Sequence, residues 1–278
     1  MRILLKIGGA QLEEAAPRAA LCAAIAAAQQ AGHQLVVVHG GGNQIRSVGK
    51  AMGLGDRYHD GLRITDAKTA EVVLMVLGGL VNRTLVASLQ QAGVMAVGLS
   101  GADGRLFTAK PLERAGVDLG FVGEVDQVCP FVVDSLLAAG ITPVIATVAP
   151  GSAALAPGAA AAPFFNLNAD HAAGPLSKAL GCDAMLFLTD VPAVLGADKA
   201  PLPLLTPTDC ERLVHDRVAT GGMLPKLDAA LLALRNNPSA LVKIAPAGAA
   251  DAVLHALRAD TGTRFVMERT PQPETRHG

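Results

Sequence analysis

Residues 1–42 read MRILLKIGGAQLEEAAPRAALCAAIAAAQQAGHQLVVVHGGG, and their alternation decides the fold. Ile3 to Ile7 is a short apolar run broken only by Lys6, and about 11–31 is rich in Ala and Leu at helical spacing. Leu35 to Val38 is a second apolar run, and about 43–53 again has helical period. Short β-type runs separated by helix-length segments predict a βαβ opening. The rhythm continues through a strand at Met95 to Leu99, a helix at Pro130 to Ala139, a strand at Pro143 to Ala146, a helix over 169–180 and a strand at Ala184 to Leu188. Continuous apolar strands flanked by helices predict an α/β protein, a three-layer αβα sandwich with a central, mostly parallel sheet.

Between Leu99 and Gly123 a Gly- and charge-containing stretch reads either as a small hairpin insertion or as an irregular surface loop. Residues 149–163, APGSAALAPGAAAAP, read as a long loop with a lobe boundary nearby, and the tail 271–278 reads as disordered. The chain has 278 residues, 51% hydrophobic, so it can bury a sizeable core. Its 23 Lys and Arg against 24 Asp and Glu leave no excess that would draw nucleic acid or an anionic membrane. Cys22, Cys129, Cys182 and Cys210 are scattered without a CxxC or a nearby His pair, so neither a zinc site nor a disulfide framework is suggested, and buried, reduced thiols are expected. Without a signal-like start or a long uninterrupted apolar run, a cytoplasmic protein is expected.

Parallel sheets place ligands at the carboxyl ends of their strands, so four places stand out. Lys6, in an otherwise apolar strand, precedes Gly8 and Gly9; a lysine buried there is costly unless it meets an anion. His39-Gly40-Gly41-Gly42 opens a helix, where glycines let the backbone approach an anion and free N–H groups add a positive dipole end. A tight strand-to-helix turn without ligand would look the same. Neither GxxxxGK[ST] nor GxGxxG occurs, which disfavours Walker-type ATPases and dinucleotide dehydrogenases. Asn166, Asn168 and Asp170 alternate into the helix beginning near His171; one of them could be a plain cap, but together they suit a polar substrate and a cation. Thr220-Gly221-Gly222-Met223-Leu224-Pro225-Lys226 brings a lysine to a helix start after glycines, as an anion contact or as a surface lysine behind a flexible loop.

From Lys6 to about Thr263 the chain resembles the amino acid kinase family, in the branch that phosphorylates N-acetyl-L-glutamate. The resemblance rests on seven segments in the family's order: Lys6-Ile7-Gly8-Gly9, His39-Gly40-Gly41-Gly42, Asp60 to Asp66 (DGLRITD), Asp118 to Val125 (DLGFVGEV), Asn166 to Asp170 (NLNAD), Leu188 to Pro192 (LTDVP) and Gly221 to Lys226 (GGMLPK). It implies the amino acid kinase fold, with a lobe 1–178 for amino-acid substrate binding and dimerisation and a lobe 179–270 for ATP.

The activity it implies is transfer of the γ-phosphoryl group of ATP, bound with Mg²⁺, to the γ-carboxylate of N-acetyl-L-glutamate in arginine biosynthesis. Lys6 and Lys226 match transition-state lysines and Asp170 the carboxylate that orients them. Gly8, Gly9 and Gly41 would hold phosphate. Gly41, Gly42, Arg63, Asn166 and Asn168 would hold the amino acid, with Arg63 forked onto its α-carboxylate or engaged in a structural ion pair. Asp190, Val191, Leu195, Val218 and Thr220 would border the nucleotide. No protein cage for a metal is implied, since Mg²⁺ commonly rides on phosphates.

Leu80 stands where such kinases often carry lysine, and residues 243–255 depart from the usual segment. Only five residues precede Lys6, where arginine-inhibited hexameric relatives carry an extra helix, so a homodimer not inhibited by arginine is expected. Two rivals remain: a kinase for carrier-protein-linked α-aminoadipate or glutamate in lysine biosynthesis, and a non-catalytic nucleotide or amino-acid sensor on the same fold.

Overall fold

The computed structural model describes residues 1–155, 158 and 162–268. Eight strands form the central sheet: β1 (Arg2–Ile7), β2 (Gln34–His39), β3 (Ala96–Leu99), β4 (Thr142–Ala146), β5 (Ala184–Thr189), β6 (Leu204–Leu205), β7 (Leu241–Pro246) and β8 (Thr263–Phe265). They lie in the order β6-β8-β7-β5-β1-β2-β4-β3, and every neighbouring pair is parallel except β7 with β8. The expected mostly parallel sheet is therefore present. From β1 the chain steps outward through β2 on one side, and from β5 it steps outward through β7 on the other. The β1–β5 seam is thus where strand order reverses, and a crevice opens beyond such a seam at the carboxyl ends of the strands.

Side chains alternate along a strand, which settles where Lys6 points. Ile3, Leu5 and Ile7 join one core face with the helices Ala15–Gln30, Ala67–Gln91 and Ala252–Ala256. Leu4 joins the other, under the helices Phe131–Ala138, Ala169–Ala179 and Met223–Asn236. By parity Lys6 shares the face of Leu4, so the helices over it are those that carry Asp170 and Lys226.

The continuous helix Ala67–Gln91 is the largest element that the sequence pattern did not reveal, and its middle, Leu74–Val81, is π-helical. Its run VVLMVLGGLV is apolar all round, so no amphipathic 3.6-residue period marks it. By length and composition it could cross a membrane, but Val72, Val73, Val76, Leu77, Val81, Leu85 and Leu89 are buried in the core cluster.

The segment after Leu99 does contain a hairpin, Phe107–Pro111 against Val122–Val128, extending past the expected Gly123. It belongs to a second sheet with Phe165–Leu167 and Val148–Ala149, so the loop expected over 149–163 begins on a strand. The tail 271–278 lies outside the described residues. Cys22, Cys182 and Cys210 are buried free thiols, but Cys129 is exposed, because it follows the end of the hairpin's second strand, Val122–Val128.

Helix Ala67–Gln91 starts at Asp66, whose carboxylate accepts from Thr69 N–H at 2.8 Å; these bonds hold the Asp66 carboxyl below its ordinary range. Replacing Asp66 by Ala should lower the unfolding free energy by about 1 kcal/mol in urea titrations, while Asp66→Asn, which can cap equally well, should not.

Candidate active site

Three helices point their N-termini into the crevice at the end of β1. Gly42–Ala51 begins at Gly41, Ala169–Ala179 at Asn168 and Met223–Asn236 at Gly222. Each turns the positive end of its dipole there, and together they make a place where negative charge is stabilised. Asn168 is the cap of its helix: its Oδ1 accepts from Asp170 N–H at 2.9 Å and His171 N–H at 3.2 Å. That fixes Asp170 in the first turn, the favourable end of the helix for a carboxylate.

Lys6 Nζ meets Asp170 Oδ1 at 2.6 Å, with Lys6 only 8% exposed. An ammonium withdrawn from water needs such a partner. Lys226 lies in the first turn of helix Met223–Asn236, the end at which the dipole disfavours a cation unless an anion arrives. The helix starts at Met223, so Lys226 belongs to it. Among the described residues its Nζ donates to Gly222 O, at 3.5 Å.

Two cavities meet at this pair. One, of about 230 Å³, is lined by Lys6, Gly8, Gly9, Gly41, Gly42, Arg63, Asn166, Asn168 and Asp170, and so gathers all the residues expected to hold an amino acid. The other, of about 270 Å³, is lined by Lys6, Gly8, Gly9, Asp170, Asp190 and Lys226, with Gln11, Thr189 and Pro225. Their common wall is Lys6, Gly8, Gly9 and Asp170. Val218 instead lines a separate cavity of about 390 Å³ with Leu205 and Arg212, while Val191, Leu195 and Thr220 line none of the three. The last three sit in the loops that flank these openings.

The glycines are needed for close approach. A Cβ on Gly41 would stand 2.8 Å from Leu77 and 3.0 Å from Val81, and one on Gly9 would stand 3.2 Å from Gly41 Cα. Gln44 donates to Gly9 O at 3.4 Å. In the amide orientation that satisfies both neighbours, Gln11 donates to Gly8 O at 3.0 Å and accepts from Asp190 N–H at 3.2 Å. Neither glutamine carries a sequence signal beyond lying just after a glycine turn.

Arg63 is held by an ion pair with Asp56 and by donation to Gly42 O at 2.9 Å, and its guanidinium carbon lies 4.9 Å from the Tyr58 ring centre. The structural ion pair thus exists, while the same side chain lines the amino-acid-sized cavity. Asn166 donates to Thr65 Oγ1 at 3.2 Å. Asp190 accepts from Thr189 Oγ1 at 2.8 Å, and that bond, with Lys226 nearby, holds its carboxyl below the ordinary range.

His39 is fully buried beneath the glycine turn, and burial pushes its pKa down to about 4. Among the described residues no cluster of three or more His, Cys, Asp or Glu could hold a metal ion. What lines the second cavity suits a phosphate chain that carries its own Mg²⁺: N–H groups and two ammonium groups for the oxygens, and separate carboxylates.

The amino acid kinase family matches residues 1–243. Acetylglutamate kinase of Solibacter usitatus is 40% identical over 268 residues, 96% of this chain and 99% of that relative. Among solved structures, smu.665 from Streptococcus mutans UA159 superposes with a TM-score of 0.79 at 27% identity, covering 96% of this chain and 99% of that one. Giardia carbamate kinase, at 15% identity and a TM-score of 0.69 over 96% and 99% of the two chains, shares the fold.

An unfolded histidine binds its proton near pH 6.5, which the buried ring of His39 refuses until about pH 4. The unfolded state therefore holds more protons in that window, and stability is lost as pH falls through it. Between pH 7 and pH 5 the loss should be about 2 kcal/mol in urea titrations, and His39→Asn should flatten it.

Proposed function

The chain belongs to the amino acid kinase family, grouping with its acetylglutamate kinases, and from that premise we propose that it phosphorylates the γ-carboxylate of N-acetyl-L-glutamate with ATP. The observation that carries this reading is the pair of cavities divided by Lys6, Asp170, Gly8 and Gly9. An acceptor carboxylate on one side and a triphosphate on the other would meet across that wall. The acceptor is already ionised near pH 7, so no general base is required. A bond forms between a carboxylate oxygen and the γ-phosphorus as the bond to the β-phosphate oxygen breaks. ADP and an acyl phosphate leave, and no proton changes hands.

What remains for the protein is alignment and neutralisation of charge. Lys6 and Lys226 offset charge on the transferring group, braced by Asp170, and N–H groups of Gly9 and Gly41 receive its oxygens. Arg63 takes the α-carboxylate and Asn166 and Asn168 the remaining polar groups; Gly8 and Asp190 serve the nucleotide side, with Val191, Leu195, Val218 and Thr220 toward its sugar and base. Mg²⁺ carried on the nucleotide supplies further neutralisation. On this reading residues 1–178 hold the acceptor and 179–270 the nucleotide. Met75 and Leu80, apolar and half exposed on helix Ala67–Gln91, support a homodimer that covers them.

A coupled ADP-release assay with N-acetylglutamate, N-acetyl-α-aminoadipate, aspartate and glutamate should give turnover that is strongest with N-acetylglutamate. Preference for any other acceptor would overturn the assignment. Lys6→Ala and Lys226→Ala should each lower kcat by about 10²–10³ with the fold retained by circular dichroism. Arg63→Lys should raise KM for N-acetylglutamate about tenfold and leave KM for ATP unchanged, because the bidentate fork is lost.

A further inference from the structure

Beneath the glycine turn lies a buried polar chain to which the proposed reaction assigns no part. His39 and Asn82 are both fully buried, on β2 and on helix Ala67–Gln91. Asn82 Nδ2 lies 2.9 Å from Val144 O and 2.9 Å from His39 Nε2. A carbonyl can only accept, so the Asn82 amide must turn its NH₂ that way. Its second N–H then points at Nε2, which has to be the accepting nitrogen. The imidazole proton is left on Nδ1, 3.1 Å from Gly40 O. Low proton affinity fits this arrangement, since an imidazolium would set a second donor against the Asn82 NH₂.

We propose that His39, locked by Asn82 as the neutral Nδ1–H tautomer, is a positioning residue that holds the Gly40–Gly41 peptide with its N–H directed at the transferring phosphoryl group. The peptide is trans, and in a trans peptide the C=O and N–H point in opposite directions. Drawing the Gly40 carbonyl toward the buried ring therefore sends the Gly41 N–H to the other side, where Gly41 lines the cavity. The device is built to be rigid. Leu77 and Val81, from the π-helical stretch just before Asn82, pack on Gly41, and any Cβ at residue 98 would collide with Asn82 Oδ1. Gly98 on β3 is what leaves room for that amide.

This inference rests on the phosphoryl-transfer reading for its kinetic consequence but not for its geometry, so two measurements separate them. The first is kinetic, on the full-length enzyme. His39→Leu fills the space without a donor, whereas His39→Asn places an amide N–H where Nδ1–H stood. His39→Leu should lower kcat at least tenfold, less than the ~10²–10³ of deleting a donor outright. KM for ATP and for N-acetylglutamate should hardly change, because a donor aimed at the transition state acts on kcat. His39→Asn should recover most of kcat. Equal losses in both variants, or a loss confined to KM, would overturn the proposal.

The second is ¹⁵N NMR of histidine-labelled protein at neutral pH, which reads which ring nitrogen bears the proton whatever the substrate. His39 should show Nδ1–H, and Asn82→Leu should move its Nε2 resonance. A proton on Nε2 would overturn the proposal even if the kinase assay succeeds. An enzyme inactive on N-acetylglutamate but with Nδ1–H in place would instead remove the substrate assignment alone.

Discussion

The contact between Lys6 and Asp170 constrains everything around it. A strand buried on both faces leaves an ammonium group little access to water, so a negative partner must come from whatever covers that face. The partner sits in the first turn of the helix laid over that face, held there by the Asn168 cap, and the same face receives the helix that brings Lys226. Taking Lys6 away would leave Asp170 as a partly buried carboxylate among three helix N-termini, which an anionic ligand would then have to enter unaided. The pair thus keeps the crevice tolerable while empty and receptive when a phosphate chain arrives.

Which charges stand where follows from strand parity and helix polarity together. Parity sends Lys6 toward the face of Leu4. Polarity places a carboxylate comfortably in the first turn and a lysine uncomfortably there. Asp170 is therefore stabilised by the fold alone, whereas Lys226, with a 3.5 Å contact to a carbonyl and Asp190 nearby, stands at a helix end that favours an added anion. That asymmetry is why the two ammonium groups, so alike in proposed role, differ in how the protein holds them.

Much of this was legible in residues 1–42 and in the short glycine- and asparagine-bearing segments, because strand-to-helix junctions write themselves in local sequence: an apolar run, glycines or a cap, then helical period. Lys243 shows the boundary of that reading. It too lies in an apolar strand, fully buried, yet its Nζ donates at 2.5 Å to Arg258 O just past a helix end, and burial lowers its proton affinity. A lone lysine in a core strand announces that a partner exists without saying whether it is a ligand or the backbone. Helix Ala67–Gln91 was hidden for a different reason: an element covered on most sides has no polar stripe to reveal its period. Asn82 was hidden with it, since nothing local in Val81-Asn82-Arg83 connects it to a histidine forty-three positions earlier.

The two faces of the sheet contribute in different ways to one point in space. The face of Leu4 delivers charge, through Lys6, Asp170 and Lys226. The face of Ile3, Leu5 and Ile7 delivers shape: Leu77 and Val81 press on Gly41 so closely that only a glycine fits there. Charge alone would bind a phosphate in many orientations, because ammonium groups on flexible stems impose little geometry. Backbone N–H groups impose geometry but carry little charge, and they hold it only when the peptide behind them cannot turn. The carboxyl end of β1 is where a strand with Lys6 on one face and a glycine turn at its tip can receive both, which is why catalysis of a step needing alignment and neutralisation, and no proton transfer, belongs there and not at the sheet's edges.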